Sequence, residues 1–71
     1  MAQFIEQNKI DKNSKWTVIG RFDNIGEVYY SYGRRTLKFC FRPNDEAIEA
    51  GITAETLQEI VDFINEKNQL L

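Results

Sequence analysis

WTVIGRFDNIGEVYYSYGRRTLKFCFR, residues 16–42, contains three alternating runs joined by two turn-forming stretches. In the first run Trp16, Val18 and Phe22 fall on one face and Thr17, Ile19 and Arg21 on the other. A period of two in β-branched and aromatic residues predicts a half-buried strand. Asp23-Asn24-Ile25-Gly26 reads as a turn, because Asp and Asn accept local backbone hydrogen bonds and glycine reaches positive φ at no steric cost. Alternation resumes over Glu27 to Tyr32, which directs Val28, Tyr30 and Tyr32 inward. After Gly33-Arg34-Arg35 a third run, Thr36 to Arg42, turns Leu37, Phe39 and Phe41 inward and Lys38, Cys40 and Arg42 outward. Links this short leave no room for a parallel crossover, so the expected unit is a three-stranded antiparallel meander.

Downstream the period changes. Pro43 donates no ladder hydrogen bond and ends the third strand. Asn44 is placed to cap a short helix over 44–50, with Gly51 as its left-handed stop. Thr53 is placed to cap a longer helix over 53–69, in which Glu55 near the start and Lys67 near the end complement the macrodipole. At about 100° per residue Leu57, Ile60, Val61 and Ile64 form one stripe, which is expected to lie on the inner face of the sheet. Phe63 and Leu70 sit beside that stripe and are expected to widen the core. Upstream, Phe4, Ile5 and Ile10 follow neither period, and residues 1–15 read as a poorly defined segment with a short helix or turn. Gly20 marks a bulge or a close backbone approach within the first strand. The expected fold is therefore α+β, a single small domain with its meander packed on the C-terminal helix. Its core would be Trp16, Val18, Phe22, Val28, Tyr30, Leu37, Phe39, Phe41, Leu57, Ile60, Val61 and Ile64.

With 71 residues, 42% apolar and 13% aromatic, the chain has the makings of one core, although a domain of this size buries only about 60% of its unfolded surface. A lone Cys40 forms no internal disulfide and points to a reducing compartment. The opening residues lack the basic and apolar regions of a signal peptide, and no apolar run is long enough to span a bilayer; a cytoplasmic protein with no membrane role is expected.

Histidine is absent, which removes the Ser-His and Cys-His nucleophilic pairs and the commonest zinc ligand. Cys40 stands between Lys38 and Arg42, neighbours that lower a thiol pKa, but without a base beside it an inert half-buried thiol is the expected reading. Glu55, Glu59, Asp62 and Glu66 recur at helical spacing opposite the apolar stripe and read as a solvated face, since carboxylates one turn apart on an exposed helix rarely enclose an ion. No catalytic residue, metal or cofactor is expected, and an enzyme is not.

Charge is distributed unevenly. Residues 16–42 carry five basic against two acidic side chains, net +3, whereas residues 43–71 carry seven acidic against one basic, net −6. The formal total of −2 conceals a dipolar molecule. If the helix covers one face of the meander, the other would present Ile19, Arg21, Tyr29, Lys38, Cys40 and Arg42, with Arg34 and Arg35 at the turn. Such a face suits a protein partner, for which Arg and Tyr are the usual anchors. The alternative is a nucleic-acid-binding module in which guanidinium groups meet phosphates and Tyr29 stacks on a base. In a third reading Ile19 and Tyr29 pack under the N-terminal segment. A pI of about 5.0 and an acidic helix favour the protein partner. The expectation is a small regulator or inhibitor, of the kind phages and mobile elements use to block host enzymes, acting through this face or through the acidic helix, as a monomer or homodimer.

Overall fold

A computed structural model of the chain describes residues 1–7, 15–20, 23–32 and 38–70. The elements run β1 (Gln3–Glu6), β2 (Lys15–Ile19), β3 (Asn24–Ser31), β4 (Lys38–Pro43), α1 (Asp45–Ala50) and α2 (Ala54–Gln69). The fold is α+β, as the periodicities imply, but the antiparallel sheet has four strands in the order β1-β2-β3-β4. The N-terminal segment, expected as a helix or turn, supplies the additional strand. Gln3 to Glu6 pair with Ile19 to Trp16, and Gln7 N–H continues the ladder to the Lys15 carbonyl at 2.7 Å. Four residues show too little alternation to signal a strand by themselves. β1 exists because β2 offers it an edge.

That additional strand sets the position of the helix. Phe4 of β1 stacks on Phe63 of α2 with centroids 3.9 Å apart and planes 3° from parallel. Trp16 meets Phe63 edge-on at 5.3 Å and Phe39 at 5.4 Å, while Tyr30 meets Phe39 at 5.4 Å and Tyr32 at 4.8 Å. A continuous row of rings thus crosses the inner face. Such contacts contribute about 0.5–1.5 kcal/mol per pair beyond their area. Lys67 Nζ lies over the Phe63 ring, 5.0 Å from its centroid, and 5.5 Å from that of Trp16, where the electron-rich ring faces attract its charge. Val18, Val28, Tyr30, Phe39 and Ile60 are buried, with Trp16, Phe41 and Ile64 partly buried against them.

Two expected core residues are exposed, Leu57 at 43% and Val61 at 47%, as is Tyr32, expected to face inward, at 64%. α2 is rolled toward β1 by the Phe4–Phe63 stack, so its buried line runs through Ile60, Phe63 and Ile64, and the Leu57–Val61 flank turns outward. Tyr32 lies past the end of β3. Leu70, expected to extend the core, is 75% exposed. Phe22 and Leu37, also expected in the core, lie outside the described residues.

The turn between β2 and β3 comes earlier than its sequence suggests. Gly20 N–H bonds to the Asp23 carbonyl at 2.8 Å, and Asn24 already belongs to β3. Gly26, expected in the turn, is in the strand. Val18 faces Gly26 and Ile19 faces Asn24, so Ile25 is an extra residue on β3, and the bulge falls there instead of at Gly20. The bulge sends Ile25 toward the core and leaves Gly26 at φ +154°, where a Cβ would strike the Arg42 carbonyl and sit 2.8 Å from Pro43 Cα. The Asn24 side chain accepts from Gly26 N–H at 2.9 Å, and Asn44 donates its Nδ2 to the Asn24 carbonyl at 2.7 Å.

Both helix caps fall where expected. Asn44 accepts from Ala47 N–H ahead of α1, Gly51 follows it at φ 89°, and Thr53 accepts from Thr56 N–H ahead of α2. Polar side chains of α2 also tie down the sheet. Glu59 Oε1 accepts from Ala2 N–H at 2.7 Å, so it is not part of a free acidic face. Asn68 grips the backbone of Phe39 from both sides, accepting from its N–H at 2.7 Å and donating to its carbonyl at 3.3 Å. No helix among the described residues is long and apolar enough to cross a membrane.

Two predictions follow from this packing. Phe39→Ala removes the ring at the middle of the row and should cost about 3–5 kcal/mol; an unchanged melting temperature would refute the row as the core. Gly26→Ala should cost about 3 kcal/mol or more, from backbone strain and collision together, whereas Gly51→Ala, at an open site, should cost about 1 kcal/mol from strain alone. Urea denaturation of the two variants tests the order.

Candidate partner-binding face of the sheet

Strand register decides which side chains share the surface away from α2. Phe4, Trp16, Val18, Val28, Tyr30, Phe39 and Phe41 take the helix side. By alternation, the residues between them take the other side. Ile5, Thr17, Glu27 and Arg42 lie in one cross-strand row, and Lys15, Tyr29 and Cys40 in the next. Ile19 lies across from Gln3, and Lys38 across from Ser31. The expected site residues Ile19, Tyr29, Lys38 and Arg42 are therefore brought to one face. Arg21, Arg34 and Arg35 lie outside the described residues. β1 continues the sheet sideways instead of folding over this face; residues 8–14 of the N-terminal segment, expected in one reading to cover Ile19 and Tyr29, lie outside the described residues.

The centre of the face holds a preformed group. Glu27 and Arg42, opposite each other on β3 and β4, form an ion pair through Glu27 Oε1 and Arg42 Nη2. The same guanidinium lies over the Tyr29 ring, 4.6 Å from its centroid. Cross-strand adjacency explains the arrangement: opposite residues on one face stand about 5 Å apart, and the diagonal neighbour is within reach of a long side chain. The hydrogen bond to Glu27, and then its negative charge, hold the Arg42 proton more firmly than in an isolated arginine. With the Arg42 side chain 58% exposed and Glu27 31%, the pair adds little to stability. Its effect is positional: the arginine is held against the sheet rather than left projecting into solvent.

Around this group the surface is mixed. Ile5 is 48% exposed, Ile19, Thr17 and Tyr29 are half-buried, and Lys15 and Lys38 are exposed. Gln7 Nε2 donates to Thr17 Oγ1 at 2.6 Å. A shallow recess of about 210 Å³ opens beside the ion pair, lined by Thr17, Gly26, Glu27, Arg42 and Pro43 among others. The Cys40 thiol is half-buried and donates weakly to the Lys38 carbonyl of its own strand at 3.6 Å.

Ile5 was not anticipated on this face, and Thr17, assigned to it by alternation, was not counted among the site residues. Thr17 was legible from the alternation of β2, but Ile5 required knowledge of β1. No group of three or more metal-ligating side chains occurs among the described residues. Comparison of the chain with protein-family models, curated proteins and solved structures returns no match.

If Glu27 holds Arg42 over the ring, Arg42 side-chain protons should resonate upfield from the ring current of Tyr29 and move back toward free-arginine positions in Glu27→Gln. NMR of the two proteins is the check, with the sheet resonances expected to stay in place.

Proposed function

We propose that the protein is a small, non-enzymatic protein-binding regulator or inhibitor that engages another protein through the outer face of its sheet. The observation that carries this reading is the arginine held over Tyr29 by Glu27, with Ile5, Ile19 and Thr17 alongside. Arginine and tyrosine are the residues most often found at energetic centres of protein interfaces, and here both are positioned in advance, which lowers the ordering cost of association. The aliphatic side chains provide surface from which water is readily displaced, and Lys15 and Lys38 form a charged rim.

The same residues argue against nucleic acid as the first choice. A phosphate-binding face is expected to leave its guanidinium groups free, whereas Arg42 is already satisfied by a carboxylate that would itself repel a phosphate. Exposed Lys15 and Lys38, with half-buried Tyr29 between them, keep that alternative specific enough to test.

Affinity capture from cell lysate with the wild-type protein, alongside Ile19→Asp and Tyr29→Ala variants of unchanged melting temperature, distinguishes specific from incidental binding. A protein retained by the wild type and lost from the variants is the expected result. In a titration with that protein once purified, Tyr29→Ala should weaken affinity about 10- to 30-fold, the usual cost of removing a central aromatic anchor. Capture indifferent to both substitutions would refute the reading. Fluorescence anisotropy against labelled DNA and RNA at low and near-physiological salt should show no binding; affinity falling steeply with salt would install the nucleic-acid reading in its place.

A further inference from the structure

The sheet and α2 form two layers whose outer surfaces differ in charge. On α2 the side directed away from Ile60, Phe63 and Ile64 presents Glu55, Asp62 and Glu66, all exposed, with Gln58 bonded to Asp62 at 2.9 Å. Asp45, Glu46 and Glu49 of neighbouring α1 are exposed as well. On the opposite surface the one acidic group named in the central row, Glu27, is neutralised by Arg42. Lys15 and Lys38 there form no ion pair among the described residues. A partner for that face should therefore carry exposed carboxylates on a firm surface, and the chain's own α2 fits this description.

From this we propose that the outer sheet face of one copy docks on the acidic outer surface of α2 in a second copy. The inference rests on the reading of this face as a protein-binding surface and names one partner for it. Charge complementarity selects the orientation. Sheet against sheet would oppose lysines with lysines, and helix against helix would oppose carboxylates with carboxylates; like-charge apposition of this kind disfavours the symmetric pairings. Sheet against helix matches opposite signs. Such a contact is heterologous: each copy uses one surface and leaves the other free, so association can extend beyond a dimer unless the geometry closes a ring. Because the same sheet face serves an outside partner, self-docking would occlude it at high protein concentration and release it on dilution.

Sedimentation velocity over a concentration series, at low and high salt, tests the proposal. At low salt the weight-average mass should rise at least about twofold above the monomer with concentration, and high salt should reverse the rise as exposed charges are screened. Lys15→Glu/Lys38→Glu, with a damaged sheet face, and Asp62→Lys/Glu66→Lys, with a damaged helix surface, should each remain monomeric. All four positions are exposed, and circular dichroism verifies that both variants fold. Mixing the two variants should restore association that rises with concentration as the wild type's does, since the intact helix of one meets the intact sheet face of the other, and the reversed charges on the two remaining surfaces are again of opposite sign. Wild-type protein that stays monomeric at low salt overturns the proposal, as does association that persists in either charge-reversed variant. Neither result touches capture of a different protein lost in Tyr29→Ala, so the two readings fail separately.

Discussion

A four-residue strand has few means of holding itself in place, and β1 is held by the stack of Phe4 on Phe63. That one contact joins the N-terminal strand to the C-terminal helix. The helix in turn is positioned over β2, β3 and β4 by Trp16 and Phe39, through which the ring row continues. Small domains have little apolar area to spare. Concentrating it in a row of aromatic rings gives each contact large area and defined geometry, and fewer alternative packings of similar energy. The roll of α2, the exposure of Leu57 and Val61, and the width of the sheet all follow from where Phe63 finds its partner.

Polar interactions then refine what the rings establish. Glu59 bonds to Ala2 and Asn68 to Phe39, one on each side of the helix, so α2 is pinned between the first strand and the last. Neither bond is local in sequence, and both meet main-chain groups that would otherwise depend on water. The helix that covers the core thus also satisfies backbone at the margins of the sheet.

Local signals in the sequence were reliable guides. Asn44, Gly51 and Thr53 delimit the helices because capping depends on residues only a few positions apart. The alternation of residues 16–19, 27–31 and 38–42 separates the two faces of the sheet, and so placed Ile19, Tyr29, Lys38 and Arg42 together. Signals that depend on distant partners were not legible. β1 has no periodicity strong enough to announce it, the bulge at Ile25 depends on register with β2, and the burial of the helix flank depends on Phe4. The pairing of Arg42 with Glu27 was implicit in the strand register, but only once the true ends of β3 and β4 are known. Charge counts alone had presented that arginine as a free cation.

The grip of Asn68 on Phe39 has a consequence for how this molecule can be recognised. Phe39 turns both its main-chain groups away from β3, and by the alternation of antiparallel ladders Phe41 and Pro43 do the same. Asn68 occupies the first of these positions, and proline has no N–H to offer at the third, so Phe41 alone presents a complete donor and acceptor pair along β4. One residue is too short a template for an incoming strand. Recognition along this margin by sequence-indifferent strand addition is closed, and a partner approaching from this side must read side chains.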